Sequence, residues 1–183
     1  RDKGIDPASI RLVILTHLHI DHASAIADFP DSTLIVTAKE WEAATSGAMP
    51  FREGYRREQF DYAFDYRTVS FDTDDVNSYA SFGRTIDLFG DGSIRLASTS
   101  GHTSGHQSVI VRLKDRDMVI GGDAVYLSSQ LEPGSDLPGR IVDEHNFRRS
   151  LQELRLFHSQ YPESVITPGH DKSFYDSAPA VWE

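Results

Sequence analysis

The sequence predicts an α/β fold. Short apolar runs rich in β-branched residues recur at 10–15, 33–36, 93–98, 117–120 and 164–167, with turn-forming residues between them. Ahead of the last run, Phe147, Leu151, Leu154 and Tyr161 fall at helical spacing, which gives a helix one buried face. Four of the runs are soon followed by histidine or aspartate, as in α/β sheets that carry their chemistry at strand ends. The 183 residues show no internal repeat and no long linker, so one domain over 1–183 with a sizeable core is expected.

Residues 1–9 read as the end of a helix and a loop feeding a buried strand over 10–15, which Thr16 closes. A short helix is expected over 23–27, then a turn at Phe29-Pro30-Asp31-Ser32. A second buried strand follows over 33–36 and a helix over 38–44 that ends at Gly47. Neither carries evident chemistry, and both read as scaffold. Residues 48–82 interleave Met49, Phe51, Tyr55, Phe60, Tyr62, Phe64, Tyr66 and Phe71 with Arg and Asp, without clean alternation. Part of this stretch, 54–64, reads as helical. Residues 85–88 and 93–96 flank Asp91-Gly92, a hairpin signal. Residues 107–113 and 116–120 form a second strand pair across Lys114-Asp115. A loop with Pro133-Gly134 and Pro138-Gly139 fills 127–143, Asp143 caps the long helix, and 164–167 is the last strand.

His17-Leu18-His19-Ile20-Asp21-His22 places four metal-capable side chains within six residues. If the chain stays extended, His17 and His19 face one side, and Asp21 and His22 follow on the turn into a helix. One segment can thus supply two ligands to one ion and two to its neighbour. Three more candidates lie beyond other strands, each beside glycine: His102 in Gly101-His102-Thr103-Ser104-Gly105-His106, Asp123 after Gly121-Gly122, and His170 in Pro168-Gly169-His170-Asp171. Neutral imidazole and carboxylate suit zinc and also admit cobalt, manganese and iron. The absence of cysteine removes thiolate ligands and disulfides.

The series His17, His19, Asp21, His22, His102, Asp123 and His170 resembles the metallo-β-lactamase-fold hydrolases. Within them it is most similar to the N-acyl-homoserine lactone lactonases, through residues 99–108 and Asp123-Ala124-Val125-Tyr126. The resemblance spans most of residues 4–171. It implies an αββα sandwich and two divalent metal ions, zinc in the first place. By resemblance His17, His19 and His102 hold one ion, Asp21, His22 and His170 the other, and Asp123 bridges them. Tyr126 then serves catalysis, three residues after the bridging aspartate, by donating a hydrogen bond to the substrate oxygen as charge develops. Asp21 carries a proton to the leaving alkoxide. The implied activity is the opening of a small-molecule lactone or ester, with N-acyl-homoserine lactones and quorum quenching the specific case. Residues 48–82 would form a lid around an acyl chain, or else pack as ordinary core. His106 would orient His102 or its loop, or simply pack; His145 and His158 read as surface or packing residues. Ser100 and Ser104 stand where the family more often has proline, and Ala23-Ser24 replaces the usual Ala-Gly.

Other functions fit less well. A glyoxalase II type of thioester hydrolase wants basic side chains for glutathione carboxylates, and 127–143 offers only Arg140. The 28 acidic against 18 basic residues give a formal net charge of −10, which repels a nucleic-acid backbone and disfavours a nuclease. A vestigial, non-catalytic site would have no need of seven ligands. No apolar run reaches the ~18 residues of a membrane span. Only one strand precedes His17, so the sandwich is expected to lack part of its N-terminal half. A segment of roughly 60–100 residues, cleaved yet still bound or carried on another polypeptide, would complete it; a homo-oligomer is a separate expectation. The expected location is the cytoplasm, although the missing signal peptide is no guide in such a chain.

Overall fold

The computed structural model describes residues 4–46, 50–62, 64–135 and 140–182. The chain divides into two compact units, Arg1–Ser70 and Phe71–Glu183, each with its own sheet and core.

The first unit is built on three parallel strands, β1 (Leu12–Ile14), β2 (Thr33–Thr37) and β3 (Asp65–Val69), in that spatial order. Parallel neighbours need crossovers, and helices supply them: α1 (Ile20–Ala23) lies between β1 and β2, and α2 (Ala38–Ser46) between β2 and β3. Central β2 is the buried strand, with Leu34, Ile35 and Val36 enclosed. The run over 10–15 is shorter and less buried than expected. As the outer strand of three, β1 leaves Leu12, Val13 and Ile14 half-buried, and only Leu15 beyond them is enclosed. Leu18, Ala23, Ile26, Leu34, Val36, Ala44, Tyr55 and Phe60 form the core.

Residues 54–64 do not form the expected helix. A single 3-10 turn, Arg57–Gln59, precedes Phe60, whose ring is fully buried and whose carbonyl accepts the Tyr66 hydroxyl at 2.7 Å. Strand β3 went unread because Asp65, Arg67 and Thr68 expose its polar side, while β2 supplies a complete ladder. Gly47, expected to end α2, lies outside the described residues, as does Met49.

The second unit holds six strands in sequence order: β4 (Asn77–Tyr79), β5 (Phe82–Asp87), β6 (Ile94–Ser98), β7 (Gln107–Arg112), β8 (Asp117–Gly122) and β9 (Val165–Pro168). Neighbours are antiparallel up to β8, and β9 returns parallel to β8 after the long helix α3 (Glu144–Gln160). A short helix α4 (Lys172–Ser177) follows. The β5–β6 hairpin is present, but its turn is longer than Asp91-Gly92 alone. Its last pair is Asp87 with Arg95, and the Asp87 carboxylate accepts from Gly90 N at 3.0 Å and Gly92 N at 2.9 Å. Both glycines have positive φ, +74° and +77°, which the loop requires.

Asp143 caps α3 as expected, accepting from Asn146 N at 3.0 Å; hydrogen bonds from Asn146 hold its carboxyl below the usual range. The buried face of α3 is Phe147, Leu151, Leu154 and Phe157, packed with Phe82, Ile110, Val119 and Ile166. Tyr161 is not part of it. The helix ends at Gln160, so Tyr161 turns outward, 40% exposed, and Phe157 takes the last apolar position. Among the described residues no helix is long and apolar enough to cross a membrane.

Leu154→Ala in the full-length protein should cost about 2–5 kcal/mol in urea unfolding, the range for a buried leucine. Tyr161→Ala should cost about 1 kcal/mol. Equal losses at the two positions would contradict this assignment of the buried face.

Candidate metal centre

In the first unit, β1 delivers the His17–His22 segment. The rings of His17 and His19 lie 4.7 Å apart at 81°, and His17 and His22 lie 4.1 Å apart. His17 and His19 therefore share a side, as alternation requires. The helix starts earlier than expected, at Ile20 instead of Ala23, so Asp21 and His22 ride on it rather than precede it. Asp21 Oδ2 lies 3.6 Å from His22 Nε2, and its side chain is half exposed, while His17 and His19 are buried.

Three contacts fix this loop. Ile20 N donates to Gly54 O at 3.0 Å, and His19 bridges to Tyr55, with rings 5.0 Å apart. The third contact involves Glu40, in the first turn of α2. Its carboxylate is fully buried and accepts from Leu18 N at 2.9 Å, between the two histidines. Its own N–H donates to Thr37 Oγ1 at 3.1 Å. The sequence reading passed over α2 as scaffold and so missed Glu40. A signal was present: Thr37-Ala38-Lys39-Glu40 has capping-box spacing, and the glutamate carboxylate also reaches the metal loop at Leu18 N.

In the second unit three loops meet at Asp123. His102 Nε2 lies 3.3 Å and His170 Nε2 3.2 Å from the same oxygen, Asp123 Oδ2. His102 Nδ1 faces the carbonyl of Arg140 at 3.1 Å, so Nδ1 carries the proton and Nε2 turns its lone pair toward the carboxylate. Gly169 N donates to Val125 O at 2.8 Å and His170 N to Tyr126 O at 3.0 Å, pinning the two strand-end loops together. A Cβ on Gly169 would sit 2.4 Å from Asp123 Oδ1, so only glycine fits beside the carboxylate. Gly101 is similarly constrained. Its φ is +133°, a Cβ would meet Phe147 N at 2.2 Å, and its carbonyl accepts from Val142 N and Asp143 N at the start of α3.

Tyr126 meets both histidines. Its hydroxyl lies 2.9 Å from His102 Nδ1, and its ring stacks on His170 at 5.1 Å and 26°. After His170, Asp171 accepts from Ser128 N at 2.9 Å and Phe174 N at 3.1 Å. Hydrogen bonds from Ser173, Ser128 and Phe174 hold its carboxyl well below the ordinary range. A neutral imidazole lone pair and a carboxylate oxygen at 3.3 Å repel unless a proton or a cation lies with them. The donors are nitrogen and oxygen, with no cysteine in the chain, and they fit zinc or a similar divalent ion.

The sequence profile of the metallo-β-lactamase superfamily matches residues 1–170. The chain belongs to this superfamily. It is 34% identical over 170 residues to the N-acyl homoserine lactonase AttM of Rhizobium radiobacter, which covers 92% of this chain and 60% of AttM. A probable metallo-hydrolase of Mycobacterium tuberculosis, Rv2300c, is 29% identical over 185 residues, 96% of this chain and 59% of that protein. The fold matches that of an N-acyl homoserine lactone hydrolase with N-hexanoyl-L-homoserine at its catalytic metal centre, with a TM-score of 0.75 and 23% identity. That match covers 97% of this chain and 62% of the hydrolase. The chain thus spans about 60% of the length of the relatives it matches.

Other expectations for this superfamily member resolve individually. His106 is buried: its ring meets His102 edge-on at 6.1 Å, its Nδ1 lies 2.9 Å from Thr99 Oγ1 at the start of the same loop, and its Nε2 accepts from the backbone N–H of Asp123. His145 is exposed, and His158 is half-buried near the end of α3. Of the aromatics expected to form a lid, Tyr55 and Phe60 are buried in the core of the first unit and Tyr62 is exposed.

Glu40→Leu should destabilise the full-length protein by about 1–3 kcal/mol, because Leu18 N–H loses its buried acceptor. Glu40→Gln, which keeps an amide oxygen there, should lose less. A leucine variant as stable as the parent in urea unfolding would remove Glu40 as the anchor of the loop.

Proposed function

We propose that the protein is a dinuclear metal hydrolase that opens lactone rings, with N-acyl homoserine lactones as its substrate class. The observation that carries the reading is the convergence of His102 and His170 on one oxygen of Asp123, with Tyr126 in contact with both. Identity to the AttM lactonase supports the choice of substrate. In this reading His17, His19 and His102 hold one divalent ion, and Asp21, His22 and His170 hold the other. Asp123 joins them and offsets part of the repulsion between the ions.

When bound, two such ions would supply Lewis-acid activation of water and of the substrate carbonyl at neutral pH. The chain's own residues do the rest. The Tyr126 hydroxyl donates to the carbonyl oxygen as it gains negative charge. The half-exposed Asp21 takes the proton of the attacking oxygen and passes it to the ring oxygen as the ring C–O bond breaks, leaving an open-chain hydroxy acid.

The test is a pH-stat screen of the full-length, zinc-loaded protein against acyl homoserine lactones, a glutathione thioester and a phosphodiester. Lactone opening should exceed the others. Faster thioester turnover would replace the lactone with a glyoxalase II type of substrate. On the best lactone, Tyr126→Phe should lower kcat about tenfold to a thousandfold, the scale of one lost oxyanion donor, with metal content unchanged. An unaltered kcat would reduce Tyr126 to packing.

A further inference from the structure

Strand β8 leaves its sheet while still buried. Its register against β9 shifts between Ile120 and Gly122, where Gly122 has φ +52°. Backbone groups that leave a ladder inside the protein need other partners. Two buried side chains, His106 and Ser108, provide them, and a third, Thr99, links the two. Asp123 N donates to His106 Nε2 at 3.0 Å, and His106 Nδ1 lies 2.9 Å from Thr99 Oγ1. Thr99 Oγ1 lies 2.8 Å from Ser108 Oγ, which donates to Gly121 O at 3.1 Å. Thr99, His106 and Ser108 are all at most 1% exposed.

The two ends of this chain dictate the order of protons along it. Gly121 O can only accept, so the Ser108 hydroxyl spends its proton there. Thr99 must then donate to Ser108, and His106 must donate from Nδ1 to Thr99. That leaves His106 Nε2 with its lone pair, which is what Asp123 N–H requires at the other end. Both ends select the same tautomer, although hydrogen positions are nowhere given in advance.

We propose that His106 is a positioning residue that fixes Asp123 through this tautomer, with Thr99 and Ser108 fixing the tautomer in turn. The side chain of Asp123 has neighbours on every side: two imidazoles at 3.2–3.3 Å and a glycine that tolerates no Cβ. A small displacement of its backbone therefore moves the carboxylate relative to both His102 and His170. Only a side chain with an acceptor at one end and a donor at the other can span Asp123 N and Thr99 Oγ1. Leucine fills the space but satisfies neither group. Glutamine restores the acceptor near the Nε2 position.

The tautomer follows from the second unit's hydrogen bonds alone, whereas its consequence for metal binding rests on the dinuclear centre proposed above. Long-range 1H–15N correlation of the metal-free full-length protein, labelled at histidine, should show His106 protonated at Nδ1 only. A His106 signal protonated at Nε2, or averaged between tautomers, would overturn the relay. For the consequence, Co2+ affinity and the visible spectrum of the Co2+-loaded protein are compared for His106→Leu, His106→Gln and Ser108→Ala. The leucine variant should bind Co2+ about ten- to a hundredfold more weakly with an altered spectrum, the usual effect of removing a group that orients a ligand. Glutamine should recover part of the loss. Ser108→Ala, a mild change at the far end, keeps the test valid if the leucine variant does not fold, and should shift the spectrum in the same sense. Folded variants with parental Co2+ affinity and spectrum would overturn the positioning role. A parent protein that binds no Co2+ would defeat the metal reading and leave the tautomer to be judged by the correlation spectrum.

Discussion

The structure of the second unit depends on the placement of Asp123. A carboxylate that is only 3% exposed is costly to bury, and its surroundings are arranged to meet that cost. Its backbone N–H is taken by His106, its Oδ2 is approached by His102 and His170, and Gly169 leaves room for Oδ1. The loop after β6 contributes His102 and His106 and the loop after β9 contributes Gly169 and His170, both meeting Asp123 in the loop after β8, so the strand order of the sheet decides which residues meet. The apolar face of α3 serves the same end. Its first turn is pinned to Gly101, and the carbonyl of Arg140 just before it fixes the tautomer of His102.

The first unit solves a related problem with a different device. Its histidines lie on a short segment between a three-residue strand and a single helical turn, elements too small to hold a loop by themselves. Glu40 ties Leu18 N to α2, and Gly54 and Tyr55 bind the other flank. In both units, then, the candidate ligands are held by buried polar side chains that would not themselves touch a metal. Such groups commonly decide how well a site is preorganised.

Much of this was legible in the sequence, because ligand-forming side chains are chemically distinctive and their spacing survives without a structure. His17, His19, Asp21, His22, His102, Asp123 and His170 were singled out as candidate ligands, and the strands that carry them fell close to their observed limits. What the sequence concealed is relational. Glu40 looked like one more residue of a scaffold helix without chemistry, since burial is set by what packs over a position. His106 was expected to orient His102 or their loop, which it borders, but its bond to the Asp123 backbone, 17 residues on and beyond β7 and β8, could not be read from spacing. Strand β3 was hidden by its polar exposed residues, and Tyr161 was misassigned because helical period alone does not show where α3 stops.

The central claim is that the two histidine sets serve one pair of ions joined by Asp123. It is tested most directly by anomalous diffraction at the zinc edge from crystals of the zinc-loaded, full-length protein. Two peaks should appear, one ligated by His17, His19 and His102, the other by Asp21, His22 and His170, with an Asp123 oxygen bound to each. A single peak, or two that do not share Asp123, would contradict the account.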